Sequence, residues 1–179
     1  MKRWQVRCGW ILLLSGLSAC ANLILKDENS PYYPVPAGSK LILHQDLQIP
    51  PDSARVYLQY GQVVKAPSVS DPYCRFEVND VRPAAQTLRA DEFVVRKTQM
   101  DTLYISMQGP LVLAAMQAMV SDGGGDVTLV WYLWLDSPRQ PNVRRLICGG
   151  MFDYPYRARR PSINEIRVQL GHIATLILK

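Results

Sequence analysis

Histidine is nearly missing from this chain, with two in 179 residues, His44 and His172. A metal centre built on imidazole or thiolate needs clustered histidines or a CxxC pair, and neither pattern occurs. No metal or cofactor is expected. Long apolar runs are lacking too. Stretches 9–19, 111–120 and 127–135 all fall short of the roughly 20 residues of a membrane-spanning helix. There is no GxSxG elbow to present a nucleophile. His44 and Asp46, two apart and so on one face of a strand, are therefore a histidine–carboxylate pair without a serine to activate. Asp122 and Asp126 bracket three glycines but lack the further oxygen ligands that calcium requires, so 121–126 reads as a flexible turn.

The amino terminus is richer in information. Residues 1–7 carry Lys2, Arg3 and Arg7 and no acid, and eleven uncharged residues, 9–19, follow. A positive start, a short apolar run and small residues at its end are the marks of an export signal. Leu17-Ser18-Ala19-Cys20 resembles the lipobox of bacterial lipoproteins. That resemblance implies a diacylglyceryl thioether on Cys20, cleavage before it, and acylation of the freed amine. Each buried methylene contributes about 0.8 kcal/mol, so two or three chains on one residue form a lasting membrane anchor. Ala21, where inner-membrane lipoproteins commonly have aspartate, implies the outer membrane of a Gram-negative cell, on its periplasmic face. The segment IPPDSARVYLQ (49–59) and the later cysteine-bearing strands are loosely similar to uncharacterised Gram-negative lipoproteins, a likeness that supplies no activity.

Removing 1–19 changes the rest of the arithmetic. All 15 acidic residues remain with 17 of the 20 basic ones, a net charge of +2 in place of +5. Nucleic-acid binding is not expected on that balance. Cys8 leaves with the signal and Cys20 is acylated, so Cys74 and Cys148 remain, most simply as a disulfide in an oxidising compartment. The chain divides into a signal (1–19), a lipidated end and proline-containing tether (20–38), and one β-rich periplasmic domain (39–179).

Within that domain the patterns are mostly those of strands. Residues 40–49 and 54–60 flank the turn Pro50-Pro51-Asp52, with Ala54, Val56, Leu58 and Tyr60 alternating against polar neighbours. Cys74, Phe76 and Val78 alternate likewise, and 92–98 and 103–108 read as two more strands. Residues 111–120 read as a buried element, with an exposed docking patch as the alternative. The run 127–135, apolar on both faces, is a central strand, and 143–152 is its neighbour. Ser162 and Glu165 make a capping box, and Ile163, Ile166, Leu170, Ile173 and Ile177 follow at helical spacing, although Gly171 allows an early end with 172–178 as a strand. The fold class is α+β, mainly an antiparallel, sandwich-like sheet with one C-terminal helix.

Six arginines (Arg139, Arg144, Arg145, Arg157, Arg159 and Arg160) fall within 22 residues holding one acid, Asp153. Arginine forks suit phosphate and carboxylate, so Arg144, Arg145, Arg157, Arg159 and Arg160 are the candidate anion-binding set, for anionic lipid or another envelope protein. The bland alternative is a set of solvated charges on different sides of the fold. Loss of Arg157, Arg159 and Arg160 is expected to cost little stability. Two functions remain open: a non-enzymatic binding or assembly module of the envelope, or a small periplasmic hydrolase with a dispersed site. A flat arginine-rich face over a closed core favours the first.

Overall fold

The structure, a computed structural model, describes residues 26–68, 70–104 and 127–179. Its elements are β1 (Lys40–Leu43), β2 (Leu47–Ile49), β3 (Ser53–Gln59), β4 (Gln62–Val64), β5 (Tyr73–Arg82), β6 (Gln86–Leu88), β7 (Asp91–Tyr104), β8 (Val127–Asp136), β9 (Val143–Gly149), the helix α1 (Ile163–Leu170) and β10 (Ala174–Ile177). Eight strands form one antiparallel sheet in the order β10-β1-β7-β8-β9-β5-β3-β4, and β2 and β6 form a separate ribbon. The sheet is strongly curled, and α1 packs on β10 at one edge and on β3 and β5 towards the other.

Alternation explains which face of the sheet is the core. Inward-facing residues line up across the strands as Leu58–Cys74–Cys148–Trp131 and Val56–Phe76–Leu146–Leu133. All eight are at most 3% exposed, and the helix adds Ile163, Ile166 and Leu170 from above. A fully buried side chain of this kind contributes about 1.5–3 kcal/mol, so this layer accounts for most of the drive to fold.

The helix starts and stops where the sequence indicates. The Ser162 side chain accepts from the Glu165 amide, the Glu165 carboxylate accepts from the Ser162 amide, and Gly171 closes the last turn. Gly171 has φ +53°, and a Cβ there would lie 2.5 Å from the Gly61 Cα, so only glycine lets the helix end meet the β3–β4 turn. Gln169 fastens the same junction, its carbonyl accepting from Gly61 N at 3.0 Å and its side chain from Tyr60 N at 3.0 Å.

Four expectations change. The run 40–49 is two strands, because 44–46 turn away: His44 bonds to β10 and the Asp46 carboxylate accepts from Ala90 N at 2.8 Å. Residues 92–98 and the described start of 103–108 belong to one strand, β7, since β8 pairs with it from Val94 to Tyr104 and carries the polar stretch 99–102 across. Ile177 leaves the helical stripe and sits on β10, 45% exposed. The supposed tether is docked from Glu28 onward: Arg167 pairs with Glu28, Thr98 Oγ1 donates to Val35 O at 2.6 Å, and Gly38 N to Val95 O at 2.8 Å. The prolines exclude regular structure there without freeing the chain. The signal, Cys20, the remainder of 103–108, the stretch 111–120 and the turn 121–126 lie outside the described residues.

Candidate functional site

Two bulges build the outer face of the sheet. On β7, Val95 pairs with Leu135 and Lys97 with Trp134, leaving Arg96 as an extra residue. On β9, Arg145 pairs with Glu77 and Val143 with Val78, leaving Arg144 as the extra one. Regular alternation would send one member of each basic pair into the core; a bulge keeps both members outside. Arg96-Lys97 and Arg144-Arg145 therefore flank Trp134, which lies on β8 between them. A cleft of about 320 Å³ is lined by Arg96, Trp134, Asp136 and Arg144, with Asn79 and Ser137 beside them.

The register extends this face across five strands. One row reads Tyr57–Arg75–Ile147–Tyr132–Gln99 and the next Arg55–Glu77–Arg145–Trp134–Lys97. Three cations gather at one indole: Lys97 Nζ lies 5.0 Å from the Trp134 ring centroid, Arg145 Cζ 5.1 Å and Arg144 Cζ 5.3 Å. Arg145 also lies 4.1 Å over Tyr132, and Arg75 lies 5.8 Å from Tyr57. Such contacts contribute about 0.5–1 kcal/mol each when exposed and more when water is excluded. Arg145 is neutralised by Glu77, and Arg96 Nε stands 4.0 Å from Asp136. Among the described residues Arg55, Arg75, Lys97 and Arg144 have no carboxylate within 4.0 Å. Two buried donors, Trp134 Nε1 and Arg75 Nε, also find no acceptor among the described residues.

Tyr132 closes the face beside Asp101. Burial, and then the hydrogen bond to Asp101, push its hydroxyl up to about 12. The same bond holds the Asp101 carboxyl below its ordinary value. Tyr132 thus stays a neutral donor near neutral pH and Asp101 a charged acceptor. The face thus sets the exposed cations Lys97 and Arg144 beside the half-buried Trp134 ring, while Tyr132, Ile147 and Val130 behind them form a second buried apolar cluster. Unpaired cations beside an aromatic ring are the kind of surface that suits an anion.

The five arginines expected to act together are separated. Arg144 and Arg145 are on the outer face, whereas the chain leaves the sheet at Gly150 and carries the other three towards α1. Arg157 Nε lies 3.3 Å from Asp153, and Arg159 grips Glu165 with two bonds of 2.7 and 2.6 Å. Arg160 covers Trp131 at 5.3 Å. Arg139 pairs with the buried Asp91, and it borders a larger cleft of about 430 Å³ that also holds Arg82 and Arg89. Arg82 there meets Asp80 at 3.1 Å, which leaves that cleft less charged than the outer face.

Sequence reasoning missed Arg55, Arg75, Arg96, Lys97, Tyr132 and Trp134. A signal existed: two adjacent basic residues inside an alternating strand, at 96–97 and at 144–145, announce a bulge. His44 and Asp46 are not bonded to each other; His44 Nε2 bonds to Thr175 Oγ1 at 2.7 Å, whereas Asp46 Oδ1 accepts from Ala90 N at 2.8 Å. Among the described residues no three of His, Cys, Asp and Glu are grouped to hold a metal ion. Cys74 and Cys148 form a disulfide with Cα atoms 4.1 Å apart, slightly inside the usual 4.4–6.8 Å range, as neighbours at the closer antiparallel spacing are. No protein-family model matches the chain, and no curated protein or solved structure matches it either.

Proposed function

We propose that this chain is an outer-membrane lipoprotein, anchored through acyl chains on Cys20, whose folded body is a non-enzymatic binding module for an anionic partner in the cell envelope. The observation that carries the binding half is the set of three cations around Trp134, of which Lys97 and Arg144 lack a carboxylate partner among the described residues. Like charges held that close repel one another, and an anion placed between them relieves the repulsion. An arginine fork takes carboxylate or phosphate with two parallel hydrogen bonds, and lysine adds a point charge.

The export signal and the lipobox at 17–20 support the anchoring half. The different bonding partners of His44 and Asp46, and a hydroxyl on Tyr132 too weakly acidic to exchange a proton near neutral pH, favour binding over hydrolysis. The test is retention of the processed protein on an immobilised polyglutamate matrix. Wild type is expected to elute only as salt rises, and Lys97→Ser/Arg144→Ser at clearly lower salt. Co-elution of the two proteins would remove the outer face from the account.

A further inference from the structure

The end of the body at which the chain enters carries three exposed tyrosines, with Val168 exposed near them. Asn164 donates to Glu28 O and to Asn29 Oδ1 at 3.2 and 2.8 Å, and Asn29 and Pro31 share a shallow cleft with Arg159 and Val168. Tyr32 is 77% exposed and close enough to Arg160 to act on its charge. Tyr154 and Tyr156 stack with centroids 5.8 Å apart and are 50% and 82% exposed. None of the three tyrosines fills a place in the core, and stacking two large rings in water is a poor use of apolar surface.

Tyrosine side chains with an apolar body and a polar tip gather at the headgroup level of membranes, and arginine stems extend along the same layer. Five residues separate Cys20 from Lys26, where the described body begins, and the six Cα–Cα steps reach at most about 20 Å. We propose that this end of the molecule, marked by Tyr32, Tyr154, Tyr156 and Arg157, rests in the headgroup layer of the membrane; the proposal builds on the reading that Cys20 is the anchor. The occupant is a phospholipid surface. Arg157 and Arg159 are each neutralised by a carboxylate, so the contact is chiefly aromatic and only weakly electrostatic.

The docked end is set apart from the outer face. β8 starts at Val127, bridged to Asp153 at the membrane end, and reaches Trp134 seven residues later. At strand rise that is about 23 Å. The cations around Trp134 therefore lie well along β8 from the docked tyrosines, so the two surfaces can be engaged separately.

Photo-crosslinking of the full processed chain in vesicles of phosphatidylethanolamine and phosphatidylglycerol, doped with a phospholipid bearing a diazirine on its headgroup, tests this. Label on 153–160 is expected at least fivefold above that on 143–149. The Tyr154→Ser/Tyr156→Ser variant should lower it at least threefold with the acyl mass at Cys20 unchanged. An acylated chain with no label on 153–160, or with label concentrated on 143–149, overturns the docking while leaving the anchor. Label on 153–160 without acyl mass upholds the docking and overturns the anchor. Absence of both overturns both.

Discussion

Cys74 stands opposite Cys148 on neighbouring strands, its Cα 4.1 Å away and both residues 0% exposed. The bridge joins β5 to β9 in the same inward row as Leu58 and Trp131, within the core that α1 helps to cover. It spans 74 positions of sequence, for which the chain-entropy estimate is roughly 4 kcal/mol. That is a large share of the 5–15 kcal/mol typical of a domain. At about 2–4 °C per kcal/mol for a chain of this size, Cys74→Ala/Cys148→Ala should melt about 10 °C lower. Calorimetry or circular dichroism reads this, and an unchanged Tm would show that the bridge adds nothing. Because neither sulfur is exposed, reductant added to the folded protein should leave the bridge intact until the sheet opens.

Glu165 joins two devices, the capping box of α1 and the clamp on Arg159. The Arg159 hydrogen bond first, then the Ser162 amide, hold its carboxyl below the ordinary glutamate value. Since the folded pKa is the lower one, the stabilisation is complete above the unfolded value near 4.5 and is lost as pH falls through the folded value. Glu165→Gln keeps a side chain able to accept from the Ser162 amide but loses the charge. It should cost about 1 kcal/mol at pH 7 and progressively less as the pH is lowered through the acid range, a trend that thermal melts across a pH series measure.

Arg159 and Arg160 read as dispensable surface charge, and they are not. Arg159 holds Glu165, and Arg160 covers Trp131, whose indole donates to Pro161 O at 3.0 Å. Arg157→Ser/Arg159→Ser/Arg160→Ser should therefore lower stability by about 1–2 kcal/mol through lost pairing and packing. Arg157→Ser alone should cost less than the triple change in denaturant titration, since Arg157 is itself exposed and Asp153 still accepts from Tyr154 N at 2.8 Å.

The proposed anchoring rests on Cys20. With serine in its place no thioether forms, and Cys20→Ser should leave the chain without acyl mass and out of the membrane fraction. Mass spectrometry of the N-terminal peptide decides: acylation of the variant, or its absence in wild type, contradicts the anchor.

Local chemistry was legible wherever one element decides its own shape. The alternation around Cys74, Phe76 and Val78, the capping box at Ser162 and the two-faced apolar run of β8 all read correctly, because each reports the burial of its own residues. Pairing across long distances did not read. Nothing in 99–102 hints that β7 runs on, since its support comes from β8 in hydrogen bonds that carry no side-chain signature. The candidate site was only half legible for a related reason. Its residues come from β3, β5, β7, β8 and β9, and they share a face only because two bulges break the alternation that sequence reading relies on. Arginines close in sequence were grouped instead, and the turn at Gly150 separates them.

The most direct test uses Trp134 as its own reporter. After removal of 1–19 the protein keeps two tryptophans, Trp131 and Trp134, and Trp131 is 3% exposed and bonded in the core. Titration with hexaglutamate, and separately with inorganic pyrophosphate, is followed by tryptophan emission at several salt concentrations. A saturable change with at least one probe is expected, weakening as salt rises, lost in Trp134→Phe and at least tenfold weaker in Lys97→Ser/Arg144→Ser. No change with either probe, or a response that persists in Trp134→Phe and ignores salt, would contradict an anion-binding outer face.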